Sequence, residues 1–249
     1  MAVLHDAVWL NVSPAFQEFN QPCLNFLSQS AYLSQYKYYL SLDEPLSFNT
    51  PLIWLHNYLK NCDYPVHLIG HGMSGLLGLL YARQHPEMVR SLTLISVGFY
   101  PSVDWQAHYY VQRQLLNCSQ QKLLTQTVYN LFGFQCPPIT KKLIGILKED
   151  MISSLSPHTL YKRVSFSPGG VQVPLLVCGG EHDVVIDQNL WQGWSRVFKP
   201  CDRLWQCPNG RYFCHYFDPQ KVGETIVNFW DNLLKSSDVI CPADSLIYD

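Results

Sequence analysis

Short apolar runs alternate along this chain with stretches of helical spacing. Residues 7–12 form a nearly continuous apolar run and read as a buried strand. Phe16, Phe19, Cys23, Leu24 and Leu27 then recur at helical spacing, which predicts a helix over 16–28. Residues 36–42 predict a second strand, ended by Asp43-Glu44-Pro45. Asn49 and Thr50 before Pro51 predict a helix start, with the helix running to about residue 61. A third strand over 66–69, a sharp turn over 70–74, a helix over 76–85 stopped by Pro86, and a fourth strand over 92–95 follow in order.

The periodicity then changes. Residues 99–173 carry helical patterns, clearest over 105–118 and 121–132, and no strand. Strand character returns at 174–178 and 203–207, with helices expected over 188–198 and 219–234. Alternation of this kind marks an α/β fold with a mostly parallel sheet, here of about six strands flanked by helices. The expected organisation is a core from 1–98 and 174–235, a helical cap over 99–173 inserted after the fourth strand, and a C-terminal tail over 236–249. Ligand sites in such sheets lie at the carboxyl ends of the strands. The turns that matter therefore follow Val12, Leu42, Ile69, Ile95, Cys178 and Cys207.

The turn after the third strand is the most informative. Gly70-His71-Gly72-Met73-Ser74-Gly75 joins a short apolar strand to a helix, and its small residues let the two approach closely. The stretch resembles the nucleophile elbow, G-x-S-x-G, of the α/β-hydrolase fold superfamily. Residues 81–92 also look like that family's next helix and strand, and the resemblance runs over about 7–234. It implies a nucleophile on the elbow, an acid after the fifth strand and a histidine before the last helix.

The departures fall on those positions. The nucleophile position is Gly72, which has no side chain, and Ser74 lies two residues on, at a close-packing position. Gly179-Gly180-Glu181-His182-Asp183 matches the family's acid loop, with Asp183 as the acid. Counting back from Pro219, the general-base position falls on Tyr212, while His215 matches a second, non-catalytic histidine. Tyrosine, with a pKa of about 10, is a poor base for a serine hydroxyl. Asp183 then has no imidazolium to orient and is expected to accept a hydrogen bond from Tyr212. The first strand ends Leu10-Asn11-Val12-Ser13-Pro14 in place of the family's His-Gly, so the turn that supplies an oxyanion donor is altered too. After the second strand, Asp43 and Thr50 fit the family's pattern, but Leu46 and Phe48 replace its glycines. Three departures together predict a degenerate member, a pseudo-hydrolase lacking the nucleophile, with no catalytic residue. The alternative is an esterase or related enzyme of the same fold, rewired through Ser74 or His215.

Composition narrows the remaining classes. Lys+Arg 17 against Asp+Glu 19 provides no basic field for nucleic acid, and no apolar run is long enough to span a bilayer. The first residues lack a signal-peptide pattern, so a cytoplasmic protein with reduced thiols is expected. Cys201, Cys207, Cys214 and His215 are close in sequence, but without the paired spacing of zinc sites. No metal and no cofactor is predicted. The cap is rich in rings, among them Phe99, Tyr100, Trp105, Tyr109, Tyr110, Tyr129, Phe132 and Phe134. A pocket lined by His71, Met73, Asn11, Val12, Trp105 and Tyr109 is the expected site, for a small apolar ligand or a protein partner.

Overall fold

The computed structural model describes residues 5–41 and 46–238. Six strands form one sheet: β1 (His5–Asn11), β2 (Ala31–Lys37), β3 (Val66–His71), β4 (Val89–Ile95), β5 (Leu175–Gly180) and β6 (Arg203–Cys207). Every pairing is parallel and the order is β2-β1-β3-β4-β5-β6. The chain thus starts near the middle of the sheet, builds one edge and then crosses to build the other. The carboxyl ends of β1 and β3 are brought side by side, and the site lies there.

Helices cover both faces. α1 (Gln17–Leu27) and α9 (Pro219–Asp238) lie on one; α2 (Asn49–Leu59) and α3 (Met73–Gln84) lie on the other. The period-two geometry of a strand serves both cores. In β1, Val8 and Leu10 pack with Leu55 and Leu77 on the α2–α3 side, while Ala7 and Trp9 pack with Cys23, Ile226 and Trp230 on the α1–α9 side. Strands buried on both faces are apolar almost throughout, which is why 66–69 and 92–95 are legible as unbroken runs.

After β4 come the cap helices α4 (Trp105–Leu115), α5 (Gln120–Phe132) and α6 (Pro137–Ser153). Asp104 and Ser119 cap the first two, accepting from Ala107 N–H (2.7 Å) and Lys122 N–H (3.2 Å). A long connection over 154–174 contains no regular element. Arg83 of α3 holds it through Ser167 O (3.0 Å) and Gly170 O (3.3 Å). After β5 come the short helix α7 (Gln188–Gln192) and, beyond β6, the one-turn α8 (Cys214–Phe217).

Five expectations change. The second strand is Ala31–Lys37, not 36–42. As an edge strand it alternates buried and exposed positions, so the denser run Tyr38-Tyr39-Leu40 misleads the pattern. The helix after β3 begins at Met73, directly on the turn. Neither Asn49 nor Thr50 caps α2: both lie inside it, after Phe48. The helix expected over 188–198 breaks into α7 and a 3-10 turn at Gly193–Arg196. At the C-terminus α9 extends to Asp238, so 236–238 are helical, and the rest of the expected tail, 239–249, lies outside the described residues. Leu42 and Asp43, and with them part of the pattern after the second strand, lie outside them too.

Candidate functional site

The elbow is built as its residues require. Gly72 has φ 52 and ψ −123, a backbone state that side-chain-bearing residues seldom enter. Its N–H donates to Ile95 O (3.0 Å) and its carbonyl accepts from Leu76 N–H (3.0 Å), so β4 and the first turn of α3 fix the bend. Gly70 and Gly75 allow the crossing. A Cβ on Gly70 would lie 2.5 Å from the backbone N of Gly75, and one on Gly75 would lie 2.6 Å from Val97.

At Gly72 the obstruction is a different one. A Cβ there would sit 2.6 Å from Tyr212 Oη and 3.6 Å from its Cζ. The Tyr212 phenol fills the space that any side chain on Gly72 would need. Tyr212 is held there from behind. Its carbonyl accepts from His71 Nε2–H (2.9 Å) and Ser96 Oγ–H (2.8 Å), and the His71 ring packs edge-on against its own, 4.6 Å between centroids. Burial raises the Tyr212 hydroxyl well above the ordinary phenol range; the carboxyls of Asp104, Asp183 and Asp150 add to this. A phenol in that state keeps its proton and has no capacity as a general base.

His71 is equally fixed. Burial pulls its pKa down to about 4, against a smaller opposite pull from the Tyr212 carbonyl, so the ring is neutral with its proton on Nε2. His215 is brought beside it, 4.6 Å between ring centroids. It is fully buried, and its Nε2–H donates to Asn20 Oδ1 of α1 (3.1 Å). Burial and the neighbouring His71 hold its pKa well below the usual histidine range. His215 ties α8 to α1.

Asp183 does not pair with Tyr212 as expected. Its Oδ1 accepts from Val185 N–H (2.9 Å) and Ile186 N–H (3.1 Å) and closes its own loop. The short reach of an aspartate and the free amides two and three residues on explain the change. Burial raises its pKa to about 7, while those amides and the Ser96 hydroxyl pull the other way.

The turn after β1 is satisfied from within. Val12 N–H donates to Ser74 Oγ (3.0 Å), Ser13 N–H to Asn11 Oδ1 (3.0 Å), and Val12 O accepts from Leu155 N–H of the cap connection (3.1 Å). Ser74 thus occupies the amide that an oxyanion would need. The six expected pocket residues are all buried, with Val12 and Met73 in the core on the α2–α3 side and Trp105 and Tyr109 in the cluster beneath the cap. Trp105 Nε1–H donates to Asp150 Oδ2 (2.9 Å), as does Gln106 Nε2–H (3.1 Å), and Tyr109 packs on Trp105. Phe16, Phe19, Phe132 and Phe213 complete a ring cluster between cap and core.

Sequence reasoning missed Ser96, Asn20, Phe213, Asp104 and Asp150. Ser96 carried a signal, since it opens the marked turn after Ile95, and its φ of 50 confirms a special backbone position. Asp104 had an N-cap position before an apolar helical pattern. Asn20 and Asp150 sit within helices among ordinary polar spacing and had no local signal.

No protein-family model matches the chain. Two cyanobacterial proteins do. The "Uncharacterized protein sll0249" of Synechocystis sp. is 46% identical over 226 residues, 91% of this chain and 90% of the relative. The "Uncharacterized protein alr2406" of Nostoc sp. is 41% identical over 225 residues, 90% of each. The chain belongs to their family. Among solved structures, a serine hydrolase involved in carbazole degradation superposes with TM-score 0.67 at 16% identity, covering 92% of this chain and 91% of its own. The naproxen esterase of Bacillus subtilis gives 0.63 at 18%, covering 91% and 84%. A haloalkane dehalogenase variant from Bradyrhizobium elkanii gives 0.64 at 11%, covering 96% and 92%. These likenesses establish the α/β-hydrolase fold for this chain. Among the described residues no helix is long and apolar enough to cross a membrane.

Proposed function

We propose that this protein is a non-catalytic α/β-hydrolase-fold protein, one that acts by binding a partner rather than by turning over an ester. One observation carries the reading: Tyr212 Oη lies 2.6 Å from where a side chain on Gly72 would begin. The position of the nucleophile and the position of the base have collapsed onto each other. Support comes from His215, whose pKa is held well below the histidine range by burial and the neighbouring His71, and from Val12 N–H, which is committed to Ser74. A general base contributes about 10²–10⁴ to rate. An oxyanion donor adds a further 10²–10³ or so. Because His71, Met73, Asn11, Val12, Trp105 and Tyr109 are all buried, a protein partner on the outer surface fits better than a small apolar ligand at the elbow.

The purified protein is expected to show no turnover of short-chain activated esters above the buffer rate. It is also expected to take up no fluorophosphonate. Stoichiometric labelling, mapped by mass spectrometry to Ser74 or another residue, would overturn the proposal in favour of a rewired enzyme.

A further inference from the structure

The charges of this chain are unevenly spread. Residues 99–173 carry seven Lys and Arg against three Asp and Glu, while the other 174 residues carry ten against sixteen. Asp104 and Asp150 are buried, so Glu149 is the one exposed acid of the cap. The cap is a basic surface on an otherwise acidic molecule.

A groove between α5 and α6 lies in that surface, lined among others by Lys141, Ile144, Lys148 and Phe134. Ile144 is buried and Phe134 is 87% exposed, so the groove has an apolar floor and an apolar rim. Lys141, Gly145, Lys148 and Ile152 recur at spacings of four and three and form one stripe of α6. The two lysines stand about 10 Å apart along the helix. Neither makes an ion pair among the described residues, whereas the neighbouring Lys142 is paired with Glu18 at 3.0 Å. Gly145 sits in the helix interior, where glycine is a poor helix former. No packing accounts for it: a Cβ there would meet nothing within 4 Å. Its missing side chain leaves the groove clear between the lysines.

The mixture of side chains selects the kind of partner. The cores of protein–protein interfaces exclude lysine. Lysines interspersed with exposed Phe and Ile are instead how peripheral segments meet anionic lipid, the cations at the phosphates and the apolar tips at the acyl boundary. The same surface would repel the acidic remainder of the molecule and so orient it cap-first. We propose that the outer face of the cap docks on an anionic bilayer surface, with lipid phosphates at Lys141 and Lys148 and with Phe134 and Ile152 entering the interface. This docking is peripheral and holds whether or not the elbow is catalytic.

Co-sedimentation of the full chain with vesicles tests it. At about 0.1 M salt, binding to phosphatidylcholine containing about 30% phosphatidylglycerol is expected to be at least tenfold tighter than to phosphatidylcholine alone. Lys141→Glu with Lys148→Glu should weaken it at least tenfold, since each lysine near such a surface is worth about fivefold. Lys60→Glu, at the end of α2, should change it less than twofold. Phe134→Ser should weaken it about threefold or more, and so should Gly145→Leu, which fills the groove and keeps every charge. All the substituted side chains are exposed, so melts should match wild type. Should the double reversal fail to fold, Lys141→Gln with Lys148→Gln carries the same test. No preference for anionic vesicles would overturn the proposal, as would a preference that survives the lysine reversals. Indifference to Phe134→Ser would also overturn it, by reducing the contact to charge adsorption alone. So would binding that appears only after Asp244→Asn with Asp249→Asn, which would assign the face to the chain's own C-terminal residues.

Discussion

Gly72→Ala is expected to destabilise this protein by about 3 kcal/mol or more, and Tyr212→Phe in the same chain should recover much of the loss. Two costs meet at Gly72. A side chain there is held at φ 52, a strain of about 1–3 kcal/mol. Its Cβ also meets Tyr212 Oη at 2.6 Å, and overpacking of a filled core costs about 1–3 kcal/mol more. The offending atom is the hydroxyl alone, because the ring carbon behind it lies at 3.6 Å, an ordinary contact. Tyr212→Phe by itself removes a buried hydroxyl that shares the Trp105 backbone N–H, and should cost about 1 kcal/mol. In a double-mutant cycle read by denaturant melts, the coupling should therefore favour the double variant by about 1–3 kcal/mol. Simple additivity would mean that the phenol does not fill the notch. Gly72→Ser should behave like Gly72→Ala in stability and gain no esterase activity, since Tyr212 keeps its own proton and burial beside His71 makes His215 too weak a base.

The second large effect is in pH. Asp150 and Asp183 are buried carboxyls raised to about 7, in both cases chiefly by burial. Their unfolded values are about 4, so the folded protein binds more protons than the unfolded chain between those limits. The stability they contribute is complete below about pH 4 and is lost as pH rises through 7. His71 runs the other way: with a folded value of about 4 against 6.5 unfolded, its contribution is complete above 6.5 and fades as pH falls toward 4. His215 has the same sign as His71. From pH 4 to 6.5 the two sets oppose each other and the profile should be nearly flat. From 6.5 to about 7 the carboxyls act alone and stability should fall, levelling once both are ionised in the folded state as well. Asp150→Asn removes one of them and keeps an oxygen for Trp105 and Gln106. Between pH 5 and pH 8 it should gain on wild type by roughly 3 kcal/mol, at about 1.4 kcal/mol for each pH unit between 5 and 7, or about 5–10 °C in the melt. Parallel melting curves for the two proteins across that range would refute the assignment of Asp150 as a protonated buried acid.

How far the sequence could be read depended on the range of the interactions. Strands β3 and β4 are buried on both faces and announce themselves locally; so does the Gly70–Gly75 crossing, where only small residues fit. β2 was displaced in the reading because an edge strand is specified by its pairing with β1 more than by its own apolar density. The place of Tyr212 on the last loop was legible from spacing to Pro219. Its contact with Gly72, 140 positions earlier, was not, because no local pattern records which side chain will fill a vacated notch. Asp183 was legible on the loop after β5, but its partner was decided by amides two and three residues away. His215 and Asn20 are joined across 195 positions, and only the fold brings them together.

The ring cluster beneath the cap has a consequence for how this molecule opens. Phe16 and Phe19 from the β1–α1 connection and α1, Trp105 and Leu124 from the cap, Ile186 from the loop after β5, and Tyr212 and Phe213 from the last loop form one continuous apolar core. Leu155 N–H on Val12 O adds a backbone tie across the same boundary. A roof that swings must part along a seam of weak contacts, and here the seam is lined by buried apolar side chains and rings in contact. In native-state hydrogen exchange the amides of Leu155 and of the inner turns of α5 and α6 should therefore exchange at the rate of global unfolding, together with those of β3 and β4. The cap would then be part of the same cooperative unit as the sheet and would melt only when the sheet melts.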